Sequence, residues 1–255
     1  MKPPVAYQTL YEAGALASAA RPRDLVSVVV SLHQYEAHIG ECLDTVAAQQ
    51  HRPLELIVVD DASRDQSAVA AAAWMARHAA RFHAVALLRH RTNQGLAETR
   101  NTGFLRACAE HVMVLDADNG LYPRCIGRLL ECKEDARAAV AYAQLAMFGD
   151  DEATGYADVW APERFRPANY VDAMALVSRS AWAQVGGYDH LEYGWEDFDF
   201  WCKFVEAGLA GVFVPEMLCR YRVHQTSMLR SRTDLKRAQV IDQMMYRRPW
   251  LDLVD

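Results

Sequence analysis

Short apolar runs that end in polar residues alternate along the chain with longer stretches of helical periodicity. The runs are rich in Val, Leu and Ile, and they predict buried strands over 26–30, 54–59, 84–88 and 111–115. Apolar positions at helical spacing predict helices over 39–49, 67–78 and 96–107. Because strand and helix alternate, the pattern predicts βαβ units and a parallel sheet.

The second half of the chain carries a less regular pattern. It predicts helices and strands in this order: helix 123–134, strand 138–147, strand 173–178, helix 180–185, helix 198–207, strands 211–215 and 218–223, and an amphipathic helix 233–245. The segment between Gly149 and Asn169 holds Gly, Asp and Pro with two aromatic residues, Tyr156 and Trp160. Such a long connection predicts either a lid over a site, with those aromatic rings against a ligand, or a plain surface excursion.

The predicted domain organisation is one α/β domain with short extensions. Residues 1–24 form a leader or linker, in which an Ala-rich stretch at 10–20 predicts a short helix. The domain spans 25–230, with a nucleotide-binding half at 25–120 and an acceptor half at 121–230, and 231–255 form a C-terminal helix. At 255 residues the chain is long enough for one large domain of this kind.

Two of the predicted strands end in paired acidic residues. Asp116 and Asp118 close one run, and Asp60 and Asp61 close another. Ligands of open α/β sheets bind at the carboxyl ends of the strands, and neighbouring carboxylates repel unless a cation or protons intervene. A divalent ion that bridges one or two carboxylates to substrate phosphates therefore fits Asp116 and Asp118. The alternative is an Asp-rich turn or a helix cap, which is a strong alternative for Asp60 and Asp61.

Seven segments in order resemble the motifs of the family 2 glycosyltransferases of bacteria, which have the GT-A fold. They are Val26–Glu36, Val58–Asp65, Asn93–Gly103, Leu115–Asn119 (the Asp-x-Asp motif), Val185–Asp189, Gly194–Asp199 and Arg220–His224. The resemblance covers the chain from about Val26 to about Met228. It implies an α/β GT-A fold (that of nucleotide-diphospho-sugar transferases), with a mixed, mostly parallel central sheet flanked by helices.

The resemblance also implies roles for individual residues. Nucleotide-binding positions are Ser31, His33, Glu36, Asp60, Asp61, Asn93, Gly95, Arg100, Asp116 and Ala117. A divalent metal ion, Mn²⁺ or Mg²⁺, is expected on Asp118 and His224, with Asp116 at its edge, and an imidazole ligand favours Mn²⁺. Asp197 is the expected general base, with Glu196 beside it. Both acids begin a predicted helix, whose dipole would keep them ionised, although the same position also suits simple helix capping.

Charge and cysteine content narrow the class of protein. The net charge of −6 lacks the basic balance of a nucleic-acid binder. Six cysteines show no Cys-x-x-Cys pair, which predicts buried free thiols in a reducing cytoplasm. No apolar run reaches the roughly 20 residues that span a bilayer, and the first 25 residues are too polar for a signal peptide. The expected location is cytoplasmic, at most peripheral to the inner face of the membrane.

The predicted function is an inverting, metal-dependent transfer of a sugar from a nucleotide sugar, expected to be UDP-linked, to a hydroxyl of a saccharide or lipid-linked acceptor. Such transfers build polysaccharides and glycoconjugates. Two other classes stay open at this point. One is a nucleotidyltransferase on a similar sheet, although no basic Gly-rich phosphate loop precedes the first helix. The other is a module that binds nucleotide sugars without catalysis.

Overall fold

The computed structural model describes residues 4–14, 22–225 and 234–254. The strands are β1 Tyr7–Gly14, β2 Val26–Leu32, β3 Leu54–Asp60, β4 Ala84–His90, β5 His111–Asp116, β6 Gly120–Leu121, β7 Val140–Gly149, β8 Ala153–Thr154, β9 Ala175–Ser178 and β10 Gly211–Val223. The helices are α1 Ile39–Ala47, α2 Ser67–His78, α3 Leu96–Arg106, α4 Cys125–Asp135, α5 Arg179–Gln184, α6 Glu196–Glu206 and α7 Arg237–Arg247.

One mixed sheet organises these elements, in the order β1-β4-β3-β2-β5-β9-β7-β10-β6, with β8 paired to β7. Strands β4, β3, β2 and β5 run parallel, as do β7 and β10, and β9 lies antiparallel between β5 and β7. The predicted α/β fold with a central, mostly parallel sheet is therefore confirmed. The helix predicted over 67–78 is α2, and most of the others shift by one or two residues at their ends.

Alternating side chains of the central strands supply two apolar cores, one on each face of the sheet. In β2, Val28 and Val30 belong to one core and Val29 to the other, and all three are fully buried. Helices α1, α2 and α4 cover the first core, and α3, α5, α6 and α7 cover the second. Strands buried on both faces explain why the sequence shows continuous apolar runs rather than alternation. Helix α3 approaches β2 closely because Gly103 has no side chain: a Cβ there would lie 2.2 Å from Val29 Cγ1.

The N-terminal segment differs from the prediction. Residues Tyr7–Gly14 form a strand, antiparallel to β4 at the edge of the sheet, where a helix was expected from residue 10 onward. The rest of that predicted helix, 15–20, lies outside the described residues. The helix prediction is wrong up to Gly14 because β4 offers an unpaired edge, and its backbone hydrogen bonds outweigh local Ala propensity. A salt bridge from Glu12 to Arg106 of α3 adds to the attachment.

Two predictions in the second half also need correction. The strands expected at 211–215 and 218–223 form one strand, β10, whose pairing with β7 shifts register at Met217, so Pro215 marks an irregularity rather than a break. In the predicted lid, Trp160 packs on Phe165 and Trp201 at ring distances of 4.8 and 6.4 Å. Trp160 therefore packs against the protein, whereas Tyr156 is 77% exposed, and contact of either ring with a ligand stays a prediction.

Several expectations stay predictions. These are the domain boundaries at residues 24, 120 and 230 and the closing motion of 149–169. The predicted start of the last helix at residue 233 lies outside the described residues, within which α7 spans Arg237–Arg247. In the parts of the chain that the structure describes, no helix combines the length and the apolarity needed to cross a membrane.

Candidate functional site

The carboxyl ends of β2, β3 and β5 meet at one edge of the sheet. Register pairs Leu32 of β2 with Asp60 of β3, and Ser31 of β2 with Asp116 of β5. The acidic strand ends are therefore neighbours across β2. Beside them the Ala117 N–H donates to the Ser31 carbonyl at 3.1 Å, and the Ser31 hydroxyl is buried without a partner among the described residues. This orphaned hydroxyl marks a place where a ligand could complete the polar contacts.

Asp61 organises the loops beside the predicted nucleotide position. Its carboxylate accepts bonds from the N–H groups of Gln94 and Gly95, both at 2.8 Å, and lies 2.7 Å from His90 Nδ1. Its carbonyl lies 2.9 Å from His33 Nδ1 and 3.4 Å from Asn93 Nδ2. The structure thus brings together four of the predicted residues, His33, Asp61, Asn93 and Gly95. Asp61 connects the loops through its hydrogen bonds, a role that the sequence did not reveal.

Replacing Asp61 by alanine is expected to lower the free energy of unfolding by about 3 kcal/mol, because buried donors would lose a charged acceptor. Urea denaturation of the purified variant measures the change. The matched control is Asp150→Ala, which removes an exposed carboxylate and should change stability by less than about 0.5 kcal/mol. Equal stability of the two variants would show that water replaces the lost acceptor.

Asp60 and Glu36 also bond to the protein itself. Asp60 accepts from the Ser63 N–H at 3.3 Å and pairs with Arg89 at 3.3 Å. Glu36 is exposed, and its carboxylate accepts from the Gln66 N–H at 2.7 Å, at the start of α2. Both residues line the loops where a nucleotide is expected, and their contacts with a base or a ribose stay predictions.

Gly95 and Arg100 lie on the neighbouring connection. Gly95 has φ of +87° at the N-terminus of α3, and a Cβ there would lie 3.2 Å from His190 Nδ1, so glycine suits both the backbone and the space. One helical turn later, Arg100 donates from Nη2 to both oxygens of Asp116, at 3.0 and 3.2 Å. Burial alone would lower the pKa of Arg100, but the Asp116 carboxylate raises it, so the guanidinium stays charged.

Asp118 and His224 meet although they lie far apart in sequence. Asp118 Oδ2 is 3.0 Å from His224 Nε2, and the Tyr35 hydroxyl also bonds to Asp118. Arg222 donates from its backbone N–H to Asn119 Oδ1 at 2.8 Å and from Nε to the Asp118 carbonyl at 3.0 Å. Strand β10 therefore holds the Asp-x-Asp loop in place and delivers His224 to it. Burial, and then the Asp116 charge, raise the pKa of Asp118.

The side chains around Asp118 supply part of the coordination shell of a divalent ion. Within residues 4–14, 22–225 and 234–254, no three His, Cys, Asp or Glu side chains converge as a complete metal site. Asp118 and His224 still bring one oxygen and one nitrogen within 3.0 Å of each other. A site with few protein ligands suits an ion that also binds substrate phosphates and water. The two residues therefore fit a divalent ion, whereas Asp116 is already engaged by Arg100.

Glu196 and Asp197 begin α6 at the same edge of the sheet. Trp195, immediately before them, has φ of +67°, an uncommon conformation for a bulky residue, and it sets the direction in which the helix starts. Asp197 Oδ2 accepts from Asn169 Nδ2 at 3.1 Å. Burial raises the pKa of Glu196 to about 7 and also raises the pKa of Asp197. Burial therefore acts against the helix dipole at these two carboxyl groups, and the expectation that the dipole keeps them ionised stays a prediction.

The structure adds residues that sequence reasoning missed. Asp172 lies in the connection before β9, near Asp116, Asp197 and Arg100, and burial raises its pKa to about 7. The Tyr188 ring lies under Arg100, 5.4 Å from the guanidinium carbon. Tyr188 belongs to the motif segment Val185–Asp189, which is the sequence signal for it. Asp172 had no such signal, because an isolated acid before a short strand looks like a loop residue.

The assembled site is rich in acidic side chains. Asp116, Asp172, Glu196 and Asp197 lie near the buried guanidinium of Arg100, and Asp118 lies beside Asp116. An anionic diphosphate would be repelled by this surface unless a cation joined it. At the same time, a buried carboxylate with a raised pKa is suited to accept a proton. The arrangement can therefore support a cation-assisted reaction of a phosphate-bearing substrate with proton transfer to Asp197.

Comparison with known proteins gives a family match and two similar folds. The sequence model of the family described as "Glycosyl transferase family 2" matches residues 27–177. The O-antigen biosynthesis protein RfbC of Myxococcus xanthus is 30% identical over 196 residues, which cover 72% of this chain and 15% of that protein.

Two solved structures have similar folds. S. aureus TarS 1-349 in complex with UDP-GlcNAc superposes with a TM-score of 0.70 at 14% identity, over 86% of this chain and 66% of that one. The mannosyltransferase PcManGT from Pyrobaculum calidifontis, in complex with GDP-Man and Mn²⁺, gives 0.68 at 21% identity, over 92% and 66%. The chain thus spans about a seventh of RfbC and about two thirds of each structure.

Proposed function

Because the chain belongs to glycosyl transferase family 2, we propose that it transfers a sugar from a nucleoside-diphosphate sugar to a hydroxyl of a saccharide or lipid-linked acceptor, with inversion at the anomeric carbon. The single observation that carries this proposal is the position of the half-buried Asp197 carboxylate at the same sheet edge as the Asp118–His224 pair. One group accepts a proton, and the other can hold the cation that a diphosphate leaving group requires.

The nucleoside is proposed to lie over the ends of β2 and β3. The proposed contacts are Ser31, His33, Glu36, Asp60, Asp61, Asn93, Gly95 and Ala117. The orphaned Ser31 hydroxyl and the connected loops around Asp61 support this placement. Uridine is the proposed base. The two similar structures hold a uridine and a guanosine nucleotide sugar, so both bases belong in the test.

The diphosphate is proposed to lie between the ends of β5 and β10. Asp118 and His224 would hold Mn²⁺ or Mg²⁺, which when bound neutralises the charge that builds on the departing diphosphate. Asp116, fixed by Arg100, orients the ribose or the water around the ion. The fit of an oxygen and a nitrogen donor supports Mn²⁺ over Mg²⁺, since Mg²⁺ prefers oxygen ligands.

Asp197 is proposed to take the proton from the acceptor hydroxyl. The acceptor oxygen then forms a bond to the anomeric carbon as the bond to the diphosphate oxygen breaks on the opposite face, and this inverts the configuration. Asn169 holds the carboxylate in place through its hydrogen bond to Oδ2. Glu196, beside the base on α6, would bind the transferred sugar or tune Asp197.

The acceptor is proposed to belong to polysaccharide or glycoconjugate biosynthesis. The name of the relative RfbC, an O-antigen biosynthesis protein, supports this role. A cytoplasmic location at the inner face of the membrane belongs to the same proposal, since a lipid-linked acceptor would be presented there.

An assay with defined nucleotide sugars tests the proposed function. Purified protein with Mn²⁺ is incubated with UDP-glucose, UDP-galactose, UDP-GlcNAc or GDP-mannose, and nucleoside diphosphate and free sugar are measured. We expect slow hydrolysis of one donor, lost on chelation, with the sugar first released as the inverted anomer by NMR. Release of pyrophosphate from a nucleoside triphosphate would instead identify a nucleotidyltransferase. Tight binding with no turnover of any donor, with or without saccharide acceptors, would identify a non-catalytic module.

A further inference from the structure

Asp172 lies in the connection before β9, close to the acidic strand ends. Strand β9 runs antiparallel to β5, with Leu176 opposite Met113, and it begins at Ala175. The chain turns just before this strand, because the Ala175 N–H donates to the Ala173 carbonyl at 2.8 Å. Asp172 precedes the turn and lies near Asp116, Asp197 and Arg100.

Hydrogen bonds to α6 tie the same segment to the proposed base. Asn169 donates to Asp197 from Nδ2, and its Oδ1 accepts from the Val171 N–H at 3.2 Å. The Val171 carbonyl accepts from Trp201 Nε1 at 2.9 Å. The segment that carries Asp172 is thus attached to α6 at Asp197 and again one turn later at Trp201.

The Asp172 carboxylate is half-buried and only partly used by the protein. Its Oδ1 accepts from the Met174 N–H at 2.8 Å, and no described residue bonds to its other oxygen. Nearby charges are the anions Asp116 and Asp197 and the cation Arg100. A fixed carboxylate with a spare oxygen, among other polar side chains, is suited to accept hydrogen bonds from hydroxyl groups.

We propose that Asp172 binds hydroxyl groups of the sugar that is transferred and so contributes to the choice of donor. This inference rests on the proposed function. In that reaction the sugar lies between the diphosphate, near Asp116 and Asp118, and the acceptor oxygen, near Asp197. Asp172 lies near both Asp116 and Asp197, whereas the nucleoside is proposed to lie on the far side of Asp116, over β2 and β3.

Asp172→Asn tests the inference because asparagine keeps the size of the side chain and an oxygen for the Met174 N–H. The measurement is calorimetry with Mn²⁺, comparing the nucleotide sugar that wild type binds best, from UDP-glucose, UDP-galactose, UDP-GlcNAc and GDP-mannose, with the matching UDP or GDP. We expect the Kd of the nucleotide sugar to rise at least about 10-fold, since bonds to charged groups are among the stronger ones. The Kd of UDP or GDP should change less than about twofold, because those ligands lack the sugar.

Donor analogues that lack one hydroxyl at a time locate the contact. For the hydroxyl that Asp172 binds, the losses of binding free energy from removing the hydroxyl and from replacing Asp172 should not add. For any other hydroxyl the two losses should add. The control is Asp242→Asn on α7, an exposed carboxylate of the same type, which should bind every ligand as wild type does.

The remaining outcomes overturn the inference. An equal loss of affinity for the nucleotide sugar and for the nucleoside diphosphate would mean that Asp172 supports the fold or the electrostatic potential of the site and not the sugar. Unchanged affinities for both, with unchanged kcat/KM for donor hydrolysis, would mean that Asp172 does not touch the sugar, while wild-type binding still upheld the proposed function. If wild type binds no nucleotide sugar in the panel, the proposed function fails and the inference fails with it.

Discussion

Replacing Asp197 by asparagine is expected to lower the turnover of sugar transfer by about 10²–10⁴-fold, the usual contribution of a general base. Asparagine has the shape of the carboxylate and can still accept from Asn169, but it cannot take a proton at neutral pH. The affinity for nucleotide sugar should stay within about twofold of wild type, because the loss falls on a step that follows binding. Initial rates at saturating donor, with calorimetric Kd values, separate the two effects.

The pH dependence of kcat gives a second reading of the same residue. The base must be ionised, and burial raises the pKa of Asp197 above that of an exposed aspartate. Activity should therefore fall as the pH drops through this raised pKa, at a higher pH than an exposed carboxylate would give. Arg100, which opposes the rise, and Asp116, which adds to it, face the same carboxylate. In Asp197→Asn this acid limb should disappear from the residual rate.

The matched control for Asp197 is Glu192→Gln, which neutralises an exposed carboxylate shortly before α6. It should turn over as wild type does. If Asp197→Asn also retains near wild-type turnover, Asp197 is a helix-capping residue, which is the alternative that its place in the first turn of α6 always allowed.

Local sequence pattern was sufficient to predict the fold of residues 25–120. Strands β2, β3 and β5 are buried on both faces, so their apolar runs are continuous, and each ends where the chain leaves the sheet. Because these strands are parallel neighbours, knowing where each one ends is enough to predict that their ends meet. The meeting of Asp116 with the region of Asp60 follows from that rule alone.

Other features depend on pairing that the local pattern does not contain. Strand β1 exists because β4 has a free edge, and nothing in the Ala-rich N-terminal sequence encodes that edge. Asp172 reaches the site because β9 runs antiparallel to β5, a direction that a four-residue strand does not reveal. Trp160 packs against Gly211, where a side chain would collide with its ring, and the loop sequence alone does not encode that contact.

Motif resemblance named positions at the site, and the structure adds the protein partners of several of them. Asp61 was expected to bind a nucleotide, and the structure gives its carboxylate to Gln94, Gly95 and His90. Glu196 and Asp197 were expected to be kept ionised by the helix dipole, and burial acts in the opposite direction by raising the pKa of both. Which partner a carboxylate takes depends on side-chain distances and burial, and these arise only once the chain has folded.

Asp118 carries the other large expected effect, because it belongs to the pair proposed to hold the metal ion. The Asp118 carboxylate is nearly buried and lies beside Asp116, so its ionised form is unfavourable unless a cation lies nearby. His224 provides the second donor from the end of β10, and Arg222 fixes the loop through the Asp118 carbonyl. An ion bound here would let the acidic side chains around Asp118 tolerate a diphosphate. The affinity for nucleotide and the affinity for metal should therefore be coupled.

Asp118→Ala is expected to weaken the binding of UDP or GDP in the presence of Mn²⁺ by about 100-fold or more, since losing even an outer-shell partner of a metal typically costs 10–100-fold. For wild type, chelation of the ion should weaken binding to a similar extent, whereas for the variant chelation should change little. Calorimetry with and without Mn²⁺ measures both effects. Asp150→Ala, an exposed carboxylate just beyond β7, is the matched control and should keep the full metal dependence. Wild-type affinity that does not respond to chelation, or an Asp118→Ala variant that still responds to Mn²⁺, would remove Asp118 from the metal site and leave its bond to His224 as a structural contact.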